Sequence, residues 1–208
     1  DQNPETEQWL DWVFAPDGGA IPGVIVGSID RDGVGAEAAP GYALGWGSNI
    51  GTVADWIADY DGYTKNDIYR DYPSFAQTFT AGWNIVVMGY STPNIGDTGS
   101  TGAVGGRTGA SPDSIARGYK YLKRPDIGLA AYYANGQSTE DLGRDIYSAD
   151  PDWVAREIET IAASVDENPF EGGHNMAGYG LASIEFGWGK PGTGLWMYYG
   201  RNGGHGHL

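Results

Sequence analysis

The sequence contains no cysteine, which excludes a disulfide framework and any thiolate metal site and leaves the redox compartment open. Basic residues are scarce as well: 12 Lys and Arg stand against 27 Asp and Glu, for a formal net charge of −15. A field of that sign repels phosphate backbones and anionic lipid, which argues against nucleic acid and membrane surfaces as partners. It equally opposes a polyanionic sugar, so a site for one needs a local concentration of cations or hydrogen-bond donors. No apolar run reaches the roughly 18 residues required of a membrane span. The start Asp1-Gln2-Asn3-Pro4 carries no basic-then-apolar targeting pattern, which leaves room for a signal peptide removed upstream. What the chain does have is bulk. A hydrophobic fraction of 40%, with eight Trp and fourteen Tyr, can offset the entropy of ordering, and 208 residues suffice for one domain or for parts of two.

The opening Gln8-Trp9-Leu10-Asp11-Trp12-Val13-Phe14 reads as the end of a helix. Apolar Ile21 to Ile29, followed by Asp30-Arg31-Asp32-Gly33, predicts an extended segment closed by a tight turn. From Leu44, the residues Ile50, Val53, Ala54, Ile57 and Tyr60 recur at helical spacing up to Gly62. Ile68, Tyr72, Phe75, Phe79, Trp83 and Val86 predict one helix with an aromatic stripe. Ser91 to Gly109 is rich in Gly, Ser and Thr and predicts a long loop of the kind that often carries function. Ser111-Pro112 opens a helix running toward Tyr133 with an interruption near Pro125, and Asp150-Pro151 opens another whose buried face is Val154, Ile158, Ile161 and Val165. Beyond Pro169 the pattern alternates, predicting two antiparallel strands over Gly178 to Phe186 and Leu195 to Tyr199. The expected class is α+β, with a boundary near Glu171 separating residues 1–170 from 171–208. Two short strands are marginal alone, so the sheet is expected to be the beginning of a larger one.

Three segments carry candidate chemistry. His205-Gly206-His207 sets two imidazoles on one face of a strand, or lets a glycine turn both toward one centre. Such a pair suits zinc or an anionic substrate, and it equally suits a tag or tail. In Ser91-Thr92-Pro93-Asn94-Ile95-Gly96-Asp97, the glycine permits an unusual turn and Asp97 can accept backbone N–H groups or orient a cation; closing its own turn is the plainer role. In Asp32-Gly33-Val34-Gly35-Ala36-Glu37-Ala38-Ala39-Pro40-Gly41-Tyr42, the tyrosine either does chemistry or packs on Trp46 at a helix start.

Taken in order, these segments resemble the heparinase II/III-like polysaccharide lyases. There an aromatic strand like Leu195-Trp196-Met197-Tyr198-Tyr199-Gly200 leads into Gly-His-Gly-His-Leu, here Gly204 to Leu208, and an Asp follows the Leu. A Pro-x-Ile-Gly-Asp loop and an Asp-Gly, Glu, Pro-x-Tyr stretch lie earlier. The resemblance implies an internal fragment: the C-terminal part of an incomplete α/α toroid over 1–170, then the first strands of an antiparallel β-sandwich over 171–208. It implies a lyase that cleaves an acidic, uronate-containing polysaccharide by β-elimination, in a secreted or periplasmic setting.

By the same resemblance Tyr42 falls at the catalytic tyrosine, His205 at a neighbour that stabilises its phenolate or the substrate carboxylate, and His207 at a structural zinc whose other ligands lie further on. Glu37 orients a donor or lines the cleft, a solvated loop carboxylate being its plainer role; read from the residues themselves, Asn94 and Arg107 serve as loop or cap residues or face the cleft and bind a carboxylate, Arg in bidentate fashion. A tyrosine, with a reference pKa of about 10, serves as base only where donors or cations stabilise its phenolate. The family's second base has no counterpart before Glu37 except Asn3, which lacks a matching motif, and His174 reads as a polar hinge. Two other readings compete: a carbohydrate-binding or surface-assembly protein using the same scaffold, and a glycoside hydrolase with paired carboxylates, for which no motif speaks.

Overall fold

The computed structural model describes residues 3–89, 92–96, 111–187 and 192–200. Within them, eight α-helices are followed by a three-stranded antiparallel sheet, a mixed α+β arrangement. The helices are α1 (Thr6–Val13), α2 (Ala20–Ser28), α3 (Pro40–Ala58), α4 (Ile68–Asp71), α5 (Thr78–Ile85), α6 (Pro112–Leu122), α7 (Pro125–Ala134) and α8 (Trp153–Ala163). A 3₁₀ turn, Pro73–Gln77, separates α4 from α5. The strands β1 (His174–Met176), β2 (Leu181–Phe186) and β3 (Thr193–Tyr198) lie in that order. No described helix is long and apolar enough to cross a membrane.

Proline sets several starts. It opens α3, α6 and α7, where its missing N–H forfeits no helical bond. Ser111 caps α6 by accepting from the Ser114 N–H at 3.1 Å. Lys123, left-handed at φ 54°, ends α6, and extended Arg124 precedes Pro125, so the expected interruption is a true break between two helices.

Four expectations are corrected. Residues 21–28 are not extended, and only Ile29 is: Ala20–Ser28 is helical, Ile21 and Ile25 are buried one turn apart, and Val26 is 74% exposed. Pro22 sits in the first turn, where helix formation tolerates it, and a nearly unbroken apolar run had hidden the period. The single helix expected from Ile68 to Val86 is three pieces. Pro73 forces Tyr72 out of helical geometry (φ −124°, ψ 74°), although Ile68, Phe75, Phe79 and Trp83 still share one core. The helix expected from Pro151 begins two residues later, at Trp153, with Ile161 only half-buried. Finally, the sheet has three described strands where two were expected, because His174, read as a hinge, lies in β1 paired with Ser183.

Two apolar clusters hold the structure. The larger fills the space between helices and includes Ile57, Tyr69, Phe79, Trp83, Ile127 and Ile158; the Trp83 indole donates to the Ala130 carbonyl at 2.9 Å. A buried indole so satisfied contributes packing without an orphan donor. The smaller cluster joins helices to sheet: Val34, Ala43, Leu44, Ala81, Ile85, Ile95, Met176, Tyr179 and Leu181, with Tyr198 packed against it.

Candidate functional site

The segment from Ile29 to Tyr42 is shaped by its own backbone. Ile29 bridges Gly35 antiparallel, the Asp30 N–H donates to the Val34 carbonyl at 2.7 Å, and Gly33 closes the predicted turn by donating to the Asp30 carbonyl at 2.8 Å. Gly33 has φ +81°, and a Cβ there would lie 2.4 Å from the Gln77 backbone, so glycine is required twice over. Pro40 then opens α3 and leaves Tyr42 in its first turn, 46% exposed. Glu37 accepts from the Trp46 indole N–H at 3.3 Å, which anchors its carboxylate against α3. A side chain at Gly35 would meet the Trp46 ring at 2.6 Å, so that glycine makes room for the indole holding Glu37.

The turn between β1 and β2 clamps the same segment. Asp32 accepts from the backbone N–H groups of Gly178 and Tyr179, the latter at 3.0 Å, and the Tyr179 hydroxyl donates to the Ala38 carbonyl. Burial pushes the Tyr179 phenol upward, helped by Tyr198, which fits a hydrogen-bonding rather than a titrating role. The third segment arrives through Ile95, 3% exposed in the smaller cluster, while its neighbour Asn94 faces solvent and Gly96 turns with φ +60°. Val34, Ile95 and Tyr198, one from each motif-bearing stretch and far apart in sequence, thus meet in or against one apolar cluster.

Tyr42, Glu37 and Asn94 are therefore placed, the first two on one continuous segment. Asp97, Arg107, His205 and His207 lie outside the described residues. His174 donates through Nε2 to the Phe170 carbonyl at 3.0 Å, a strand-positioning bond. Among the described residues no group of three or more His, Asp or Glu side chains is placed to hold a metal ion.

One buried carboxylate escaped the sequence reading. Glu185, 5% exposed on β2, accepts from the Met88 N–H through Oε2 at 2.7 Å, and its Oε1 accepts no hydrogen bond among the described residues. Burial raises its carboxyl above the usual range, against the opposing influence of the Met88 N–H and His174. The Met88 backbone is left-handed at φ 61°, so Glu185 braces a strained turn just before the 92–96 segment. Strand parity places Glu185 on the face of buried Leu181, while apolar Ile184 and Phe186 lie on the other face, so alternation of apolar groups points away from it.

No family model, curated protein or solved structure matches the chain.

Proposed function

We propose that the chain carries part of the active site of a polysaccharide lyase that cleaves a uronate-containing glycan by β-elimination. The observation that carries the reading is the convergence, on one apolar cluster, of the three stretches that resemble heparinase II/III-like enzymes. In this reading the helices belong to an α/α toroid and the strands begin a β-sandwich. The apolar outward side chains Ile184, Phe186, Leu195 and Met197, all more than half exposed, suit the face on which a second sheet would pack.

The reaction removes the proton beside the carboxylate, and the electron pair left behind expels the 4-linked oxygen, which takes up a proton. Tyr42, exposed at the start of α3, supplies the proton-transfer group. His205 stabilises the charge that develops on the carboxylate side, and Asn94 and Arg107 hold that carboxylate. Glu37, bound to the Trp46 indole, fixes the wall beside Tyr42 and stays outside the proton transfer. His207 would contribute one ligand to a structural zinc, apart from the reacting groups. The substrate is an acidic extracellular polymer, which puts the enzyme in a secreted or periplasmic compartment.

The test is an assay of the whole protein against a panel of polyuronates, reading the ultraviolet absorbance of the unsaturated uronate product. Tyr42→Phe is expected to abolish that absorbance and His174→Ala to preserve it. Equal rates for Tyr42→Phe and the parent would sink the assignment of Tyr42.

A further inference from the structure

At its C-terminal end α3 meets α6 and the loop after Gly143 around a cleft of about 310 Å³. Its floor is a set of ion pairs. Asp55, 8% exposed, accepts from the Tyr69 hydroxyl at 2.5 Å and faces Arg117 Nη1 at 2.9 Å. Lys120 stands between Asp59 (3.6 Å) and Asp145 (3.5 Å), and the Tyr121 hydroxyl donates to Asp59 at 2.7 Å. The rim is aromatic: Trp56 is 71% exposed and Tyr147 93% exposed. The loop bearing Tyr147 is held in shape, with the Gly143 N–H on Asp113 at 2.9 Å and the Tyr147 N–H on Asp145 at 3.0 Å.

The chemistry of this cleft selects among ligands. Four carboxylates line it against three cations, and Arg117 and Lys120 are already matched by aspartates, so an anionic ligand would meet opposing carboxylates. A protein partner would have to desolvate several ion pairs at the centre of its contact, where interfaces are depleted of charge. A sugar avoids both costs. Its hydroxyls replace water on carboxylate oxygens and guanidinium N–H groups, and its C–H face lies flat against an indole.

We propose that this cleft binds a neutral sugar unit of a glycan, stacked on Trp56 and hydrogen-bonded by Asp59, Asp145 and Arg117, with Tyr147 closing the rim. Trp56 lies fourteen positions after Tyr42 along α3, about 20 Å at the helical rise, so the cleft is a separate binding site. It stands whether or not Tyr42 is catalytic.

The test titrates the full chain calorimetrically with cellohexaose, xylohexaose and mannohexaose, and with a mannuronate hexamer as the charged comparator. At least one neutral hexasaccharide is expected to bind with an affinity that does not change between low salt and about 0.5 M salt. Trp56→Ala should weaken that binding about tenfold or more, Tyr147→Ala by a smaller factor, and Tyr42→Phe should leave it unchanged. Both rim side chains are exposed, so neither substitution removes core; if one variant fails to fold, the other decides. The proposal is overturned if no neutral hexasaccharide binds, or if binding survives in the folded rim variants. Tighter, salt-sensitive binding of the mannuronate hexamer, lost in Trp56→Ala, would overturn it by making the cleft a uronate site. Dissociation of an oligomer by Trp56→Ala would overturn it by making the cleft a protein contact. Lyase activity is read separately through Tyr42→Phe, so either reading can fail alone.

Discussion

The two ends of α3 are built by different means. At the N-terminal end, where Tyr42 and Glu37 stand, main-chain groups take part in most of the contacts: a glycine turn, a bridge between Ile29 and Gly35, and the Asp32 carboxylate receiving two backbone N–H groups from the turn between β1 and β2. At the C-terminal end, side chains do the holding, through the Asp55–Arg117 pair, the Tyr69 and Tyr121 hydroxyls and the shared Lys120. At Gly33 and Gly35 the first end has no room for a Cβ, whereas the partly exposed Lys120 pairs at the second can be lost singly, because water replaces much of what is removed. The first end therefore behaves as a rigid platform for whatever Tyr42 does, and the second as an adaptable polar surface.

Substitutions at the two ends test that contrast. Gly33→Ala should be the most damaging, by about 3 kcal/mol, since it combines an unfavourable positive φ with a clash against the Gln77 backbone. Urea unfolding measures it, and a loss no larger than that of Lys120→Ala would break the contrast. Asp55→Ala comes next at about 2 kcal/mol, because it leaves the Tyr69 hydroxyl buried without its acceptor while Arg117, 41% exposed, can turn to water. Lys120→Ala should cost less than about 1 kcal/mol, the sum of two long ion pairs and a cation–π contact with Tyr121 at 4.9 Å.

The gentlest change at a single pH is Glu185→Gln, which retains an acceptor for the Met88 N–H. Its signature is a slope. The folded-state pKa of Glu185 is raised, so the folded chain holds that proton more tightly than the unfolded chain does. Its contribution to stability is therefore present below the unfolded carboxylate range and lost as pH rises through the folded value. Melting temperatures taken from acid to neutral pH should gain in Glu185→Gln relative to the parent as pH rises. A constant difference between the two would show that Glu185 does not titrate as its burial demands.

Much of the helical part was legible in advance. Ser111-Pro112 and Pro125 marked helix starts through a cap and a missing N–H, and both effects act within a few residues of chain. The turn at Asp30 to Gly33 was readable for the same reason. Residues 20–28 were not, because an almost wholly apolar run shows no period from which to choose helix over strand. His174 was missed as a strand residue because three residues are too few to display alternation; the pairing with β2 makes β1 a strand.

The candidate sites divide along the same line. Tyr42, Glu37 and Asn94 could be singled out from local patterns, and the choice among packing, binding and catalysis lay beyond those patterns. The sequence by itself determined the starts of α6 and α7, the tight turn, the acidic field and the placing of the sheet after the last helix, since propensity, capping and charge are properties of short stretches. Only the tertiary structure decided that Val34, Ile95 and Tyr198 share a cluster, that Glu185 points inward and that Asp55 and Trp56 border a cleft with Tyr147. These depend on contacts between residues tens of positions apart, where packing and desolvation rather than local propensity set the outcome.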